Sequence, residues 1–267
     1  MASLFYDESL ADTGEGLPEV GAVCRLSGAE AHHAAVNRLR PGETVSVGDG
    51  AGTIVTGPVV TLDREGLAVR VERRVRKPRP APRLGLAQAL AKGGRDELAV
   101  QAATELGVDV VVPWMARRSV ARWSGQKRDR GPERWRAIVR EAGKQSLRAW
   151  LPEVLPPHST AELAGLAGVW QLAVLDPASN LTMTAWLGTG PRAQGGGLSA
   201  AGGGAAGPDR RDVLLVVGPE GGIAADEARL LEEAGAARLR LGQTVLRTST
   251  AGPAAIAVWN ACGGRRW

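Results

Sequence analysis

The stretch DVLLVVGPEGG (Asp212–Gly222) sets an unbroken apolar run directly against a turn of three glycines, a proline and a glutamate. Leu and Val without polar alternation, cut off by glycines, read as a buried strand with a turn on its end. In an open α/β sheet, ligands collect beyond the C-terminal ends of the strands, which puts the turn after Val217 where a ligand belongs. The dinucleotide fingerprint and the P-loop Lys-Ser/Thr are both absent from this turn. Glu220 would bring negative charge beside any pyrophosphate held on the turn amides, so a ligand without phosphate fits better. The alternative is a tight turn and helix start, with Glu220, Asp226 and Glu227 favouring the positive end of the helix dipole.

Around this segment the pattern of apolar strand followed by amphipathic helix repeats. RLGLAQAL precedes a helix over Asp96–Leu106, VDVVVPW one over Pro132–Trp150, DVLLVV one over Asp226–Ala234 and ARLRL one over Gly252–Cys262, with VWQLAVLD as a further strand. That alternation predicts an α/β domain with a mostly parallel sheet. The first 75 residues differ: TVSVGD, GTIVTGPVVTLD and LAVRVERRV are short β-like runs separated by Pro-Gly, Asp-Gly and Gly-Pro turns, and predict a small β-barrel. RRVRKPRPAPR (Arg73–Arg83), with six basic residues and three prolines, suits an extended linker. The domains are accordingly 1–75 and 76–267. The Gly/Ala-rich segment between Gly188 and Arg211 is expected to be a flexible insertion within the second.

A chain of 267 residues with 44% apolar content can bury one large core or two ordinary ones. No window approaches the roughly 18 apolar residues of a membrane span, and the N-terminus carries acids where a signal peptide carries bases. A cytoplasmic protein is expected. Cys24 and Cys262 are too few for a disulfide framework or a cysteine zinc site, and the adjacent His32 and His33 point in different directions on a helix, so no metal is expected. Positive charge is concentrated: residues 78–150 hold fifteen basic against seven acidic side chains, and Arg117–Arg148 alone eleven against three. Such a patch fits a phosphate backbone or a solvated face, and charge alone does not choose.

A second loop complements the first. In LRLGQTVLRTSTAGPAAIAVWNACGG (Leu239–Gly264) a strand ends at Leu241, a polar loop follows, and Ser249 or Thr250 is placed to cap a helix with Pro253 in its first turn. This loop and the Gly218–Gly222 turn sit at strand ends and can wall one pocket. Arg247, the only charge in the loop, reads either as a surface arginine or as a donor to an anionic or carbonyl-bearing group. No Ser-His-Asp spacing is present among the three histidines.

Taken in order, HHAAVNRLRPGE, KGGRDELAVQAATELGVDVVVPW, EAGKQSLR, VGPEGG and LGQTVLRTSTA resemble the ribosomal RNA small-subunit methyltransferase E family of the SPOUT class, over nearly the whole chain except the Gly/Ala insertion. The resemblance implies an N-terminal PUA-like RNA-binding barrel and a C-terminal α/β domain with a trefoil knot. It implies transfer of a methyl group from S-adenosylmethionine to N3 of a uridine in 16S rRNA of the small ribosomal subunit, by a homodimer. General topology rules treat knots as near-absent, so periodicity would not have suggested one. Carried over, the cofactor site is Leu175, Val217, Gly218, Pro219, Glu220, Gly221, Gly222, Leu241, Gly242, Val245 and Leu246, with Asp176 beside Leu175. Arg247 and Arg148 are the catalytic candidates; Arg38, Arg40, Lys92, Arg117, Arg118, Arg140 and Lys144 are the RNA-binding ones. Two departures stand out: Ser249 replaces the glutamate of the family's LRxETA pattern, and SLFYDE lacks an arginine often found near the start of relatives. A non-catalytic RNA-binding relative is the competing reading, and binding of S-adenosylmethionine separates the two.

Overall fold

The computed structural model describes residues 3–12, 16–36, 39–63, 66–188 and 211–264. The expected insertion falls outside them except for its two ends. The chain forms two compact units: Met1–Arg79 with Arg140–Leu151, and Pro80–Val139 with Pro152–Trp267.

The first unit contains β1 (Leu4–Tyr6), α1 (Ser9–Asp12), β2 (Val23–Leu26), α2 (Gly28–Val36), β3 (Thr44–Gly48), β4 (Thr53–Leu62), β5 (Leu67–Arg70) and β6 (Arg73–Arg76). The strands form one sheet in the order β1-β3-β4-β5-β2, with β6 also on β4; only the β1 and β3 pair is parallel. Along β4, buried and half-buried residues alternate, so Val55 and Val59 enter a core with Phe5, Leu26, Val47 and Val69. A Cβ on Gly57 would lie 1.8 Å from the Arg70 carbonyl oxygen, so only glycine lets β4 pass this close to the chain leaving β5. The expected linker is corrected at its start: its first four residues, three of which also close the β-like run LAVRVERRV, are β6, pairing Arg73 with Thr56 and Arg76 with Thr53. Its basic composition is tolerated because no β6 residue is fully buried: Arg73 and Arg76 are exposed and Arg74 and Val75 half-buried.

The second unit contains β7 (Leu84–Ala89), α3 (Arg95–Glu105), β8 (Val110–Trp114), the first part of α4 (Lys127–Gln145), β9 (Glu153–Val154), α5 (Thr160–Gly165), β10 (Trp170–Leu175), α6 (Met183–Gly188), β11 (Asp212–Val217), α7 (Ala225–Glu233), β12 (Ala237–Leu239) and α8 (Thr248–Trp259). Its six strands are all parallel, in the order β12-β10-β11-β7-β8-β9. β11 is covered on both faces: Val213, Leu215 and Val217 pack in one core with α3 and α8, and Leu214 and Val216 in another with α5 and α7. That two-sided burial is why its sequence shows no polar alternation.

Two helices differ from their expected bounds. α4 begins at Lys127 and contains Pro132, and it ends at Gln145 because Leu147 takes a left-handed φ of 53° while the Arg148 amide donates to the Gly143 carbonyl. Glycine usually marks such a cap, so a leucine there leaves no sequence signal. α8 begins at Thr248 with Arg247 as its N-cap, so Ser249 and Thr250 lie inside the helix and do not cap it. Its start is set by a tertiary tie: the Thr248 hydroxyl donates to the Gly218 carbonyl (2.9 Å) and accepts from Gln88 Nε2 (2.8 Å).

One turn later Gly252 lies against the sheet. A Cβ there would meet Leu86 Cδ1 at 2.9 Å and Val217 Cγ2 at 3.5 Å. Gly252→Ala is expected to lower stability by about 1–3 kcal/mol, the usual effect of overpacking a filled core. Urea denaturation checks it; an unchanged midpoint would show that α8 can shift freely.

Candidate active site

The C-terminal ends of β10, β11 and β12 open onto a cavity of about 960 Å³. Leu175 and Asp176 reach it from β10, Val217 and the Gly218–Gly222 turn from β11, and the segment from Leu241 to Arg247 beyond β12 closes it. Every residue carried over as cofactor-binding lines this cavity except Gly221, where a Cβ would sit 3.2 Å from Arg118 Cβ. The two loops paired in the sequence therefore face one space.

Local chemistry builds the turn. A Cβ on Gly218 would lie 2.7 Å from Ile223 Cγ1, so the backbone folds tightly there only without a side chain. Gly222, with φ 72°, donates its amide to the Pro219 carbonyl at 2.9 Å and closes the turn. The buried Glu227 secures the far side, accepting from the Arg117 amide (2.9 Å), the Thr160 hydroxyl (2.5 Å) and the Ala224 amide (3.3 Å). The charge that made Glu220 awkward is matched: Arg95 Nη1 donates to Glu220 Oε1 at 3.3 Å. Arg95 sits in the first turn of α3, against the dipole preference for acids, and that local misfit was the available signal of a partner elsewhere.

Six arginines line the cavity against three acids, Asp176, Glu220 and Glu232. Arg238 forms ion pairs with Asp176 and Glu232, and these hydrogen bonds, Asp176 first, raise its pKa above the usual arginine value. This triad and Arg240 were missed, although RLRL places both arginines on one side of an extended chain. Arg247 is exposed, and its guanidinium has no hydrogen bond or ion pair among the described residues.

The other candidates are dispersed. Arg148 is not among the cavity-lining residues; it belongs to the first unit, where its Nε donates to the Trp150 carbonyl at 3.0 Å. Arg140 and Lys144 are engaged in ion pairs. Arg140 reaches Glu8 and Glu30, each at 2.5 Å, and Lys144 reaches Glu30 at 2.7 Å and Glu141 at 2.9 Å. Arg40 and Lys92 are exposed, the latter before a Gly93–Gly94 pair with φ near 70°. Arg117 and Arg118 are exposed and reach the segment after β11, Arg117 to Asp226 in α7 and Arg118 to the Gly221 carbonyl at 3.2 Å. Arg38 lies outside the described residues. No group of His, Cys, Asp and Glu suited to a metal occurs among the described residues.

The geometry has counterparts in known proteins. An RNA methyltransferase domain model matches residues 77–260, and an RNA methyltransferase PUA domain model matches residues 26–72. The Ribosomal RNA small subunit methyltransferase E of Mycobacterium tuberculosis is 41% identical over 263 residues, covering 96% of this chain and 90% of that protein. The Bacillus subtilis protein of the same name is 28% identical, covering 85% of each. A crystal structure of the Neisseria gonorrhoeae protein of that name, bound to S-adenosyl methionine, aligns with a TM-score of 0.74 at 25% identity and covers 98% of both chains. With the strand-end cavity, the domain models and this identity all in agreement, the chain belongs to the ribosomal RNA small subunit methyltransferase E family.

Proposed function

We propose that the cavity binds S-adenosylmethionine and that the protein transfers the methyl group to N3 of a uridine in small-subunit rRNA. The observation that carries this reading is the convergence of three strand-end segments on one cavity with an uncommitted guanidinium, Arg247, at its edge. The residues fit the cofactor: glycines allow close backbone approach, and the volume suits a ligand of this size. Glu220 is neutralised by Arg95, and a buried Arg240 Nε stands without a partner. When bound, S-adenosylmethionine supplies a methyl group on a positively charged sulfur. Arg247 would donate hydrogen bonds to a uracil carbonyl oxygen, stabilising the negative charge that builds there as N3 releases its proton to solvent; methyl transfer to N3 would break the sulfur–methyl bond and leave S-adenosylhomocysteine. The loops on either side hold the two reactants in line, and that alignment supplies much of the acceleration.

In this proposal residues 1–75 form a PUA-like barrel that grips RNA, and 76–267 a SPOUT domain with a trefoil knot. The protein acts in the cytoplasm as a homodimer. Arg40, Lys92, Arg117 and Arg118, exposed in the structure, meet RNA phosphates, together with Arg38. Ser249 stands where the family pattern has glutamate, as the second residue of α8. Incubating the purified protein with methyl-labelled S-adenosylmethionine and small-subunit rRNA tests the reading. Label is expected in N3-methyluridine after nuclease digestion and mass spectrometry; its absence there would defeat the proposal.

A further inference from the structure

Four of the six cavity arginines already have oxygen partners. Arg95 holds Glu220, Arg118 the Gly221 carbonyl, Arg229 Glu233, and Arg238 both Asp176 and Glu232. Arg247 is exposed and free to meet the uracil. Arg240 is different. It is half-buried, its Nε is wholly buried, and that nitrogen has no hydrogen-bond partner among the described residues.

Its place is set by backbone on both sides. The Arg240 amide donates to the Leu181 carbonyl and its carbonyl accepts from the Met183 amide, each at 2.9 Å, so the residue is clamped between the β12 end and the start of α6. The nearby acids offer no relief, because Asp176 and Glu232 are both bound to Arg238. With Nε sealed off and neither Nη holding a partner among the described residues, the charge of the guanidinium is left for an anion that enters the cavity it lines. The amino-acid end of S-adenosylmethionine carries one carboxylate, a planar acceptor that matches the guanidinium fork.

We infer that Arg240 binds the carboxylate of the methionine moiety, making it the residue that selects adenosyl ligands with that carboxylate over those without it. This rests on the cofactor reading above. The test is calorimetric titration of the wild type, Arg240→Met and Arg240→Lys with S-adenosylmethionine and with its decarboxylated analogue, which keeps the sulfonium and the amine. Arg240→Met is expected to weaken S-adenosylmethionine by about 10- to 100-fold, the range of a hydrogen bond to a charged group. Binding of the analogue is expected to stay at its wild-type strength, which also shows that the cavity is intact. Arg240→Lys keeps the charge without the fork and is expected to fall between the two for S-adenosylmethionine alone. Equal weakening of both ligands would reduce Arg240 to a structural role and overturn the inference. Unchanged S-adenosylmethionine binding would overturn it as well, and would point to an RNA phosphate if RNA affinity fell. A wild type that bound neither ligand would remove the cofactor reading itself.

Discussion

Arg247→Ala is expected to slow single-turnover methylation of small-subunit rRNA by about 10²- to 10³-fold at saturating RNA and S-adenosylmethionine, the effect of removing one donor to a developing oxyanion. Folding offers no competing explanation. The Arg247 side chain makes no capping bond at the start of α8 and has no partner among the described residues, so its truncation is expected to change stability by no more than about 0.5 kcal/mol. Cofactor affinity is expected to hold, because the residue is exposed at the edge of the cavity. A rate equal to that of the wild type under these conditions would remove Arg247 from the chemistry.

Glu30→Gln is expected to destabilise the first unit by about 3–5 kcal/mol at neutral pH, because it leaves two cations without their shared buried partner. The Glu30 side chain is only 9% exposed and accepts from both Lys144 and Arg140. Burial by itself would raise its pKa, but the hydrogen bonds and charges of Lys144 and Arg140 outweigh that and hold the carboxyl below the usual glutamate value. A folded-state pKa below the unfolded one means that the stabilisation is complete above the ordinary glutamate range. It is lost as pH falls through the folded value. Wild type and Glu30→Gln should therefore differ most at neutral pH and converge in acid, as measured by urea denaturation across the range. A gap that stayed constant with pH would show that Glu30 contributes through packing alone.

Arg140 and Lys144 show where sequence reading reaches its end. On a basic helix they look identical to phosphate-binding side chains, since helical spacing reports which face a residue occupies and nothing of what lies opposite. Glu8 and Glu30, more than a hundred residues earlier, turn them into an internal ion-pair cluster. Glu220 is the same case reversed: a charge that seemed to exclude phosphate is balanced by Arg95, 125 residues away.

What the sequence by itself determined was whatever local periodicity and turn chemistry encode. The parallel strands of the second unit, their alternation with helices, and the two loops that wall the cavity were all readable, because uninterrupted apolar runs and glycine turns are local signals. The break of the β-like run LAVRVERRV into β5 and β6, and the sheet partner that holds β6 through Arg76, were not, because a sheet partner overrides composition. Nor were the end of α4 at a left-handed leucine or the membership of Arg140–Leu151 in the first unit. The states of the cavity arginines, four paired and two free, were likewise hidden. Each depends on groups brought together from distant parts of the chain, and only the tertiary structure sets those distances.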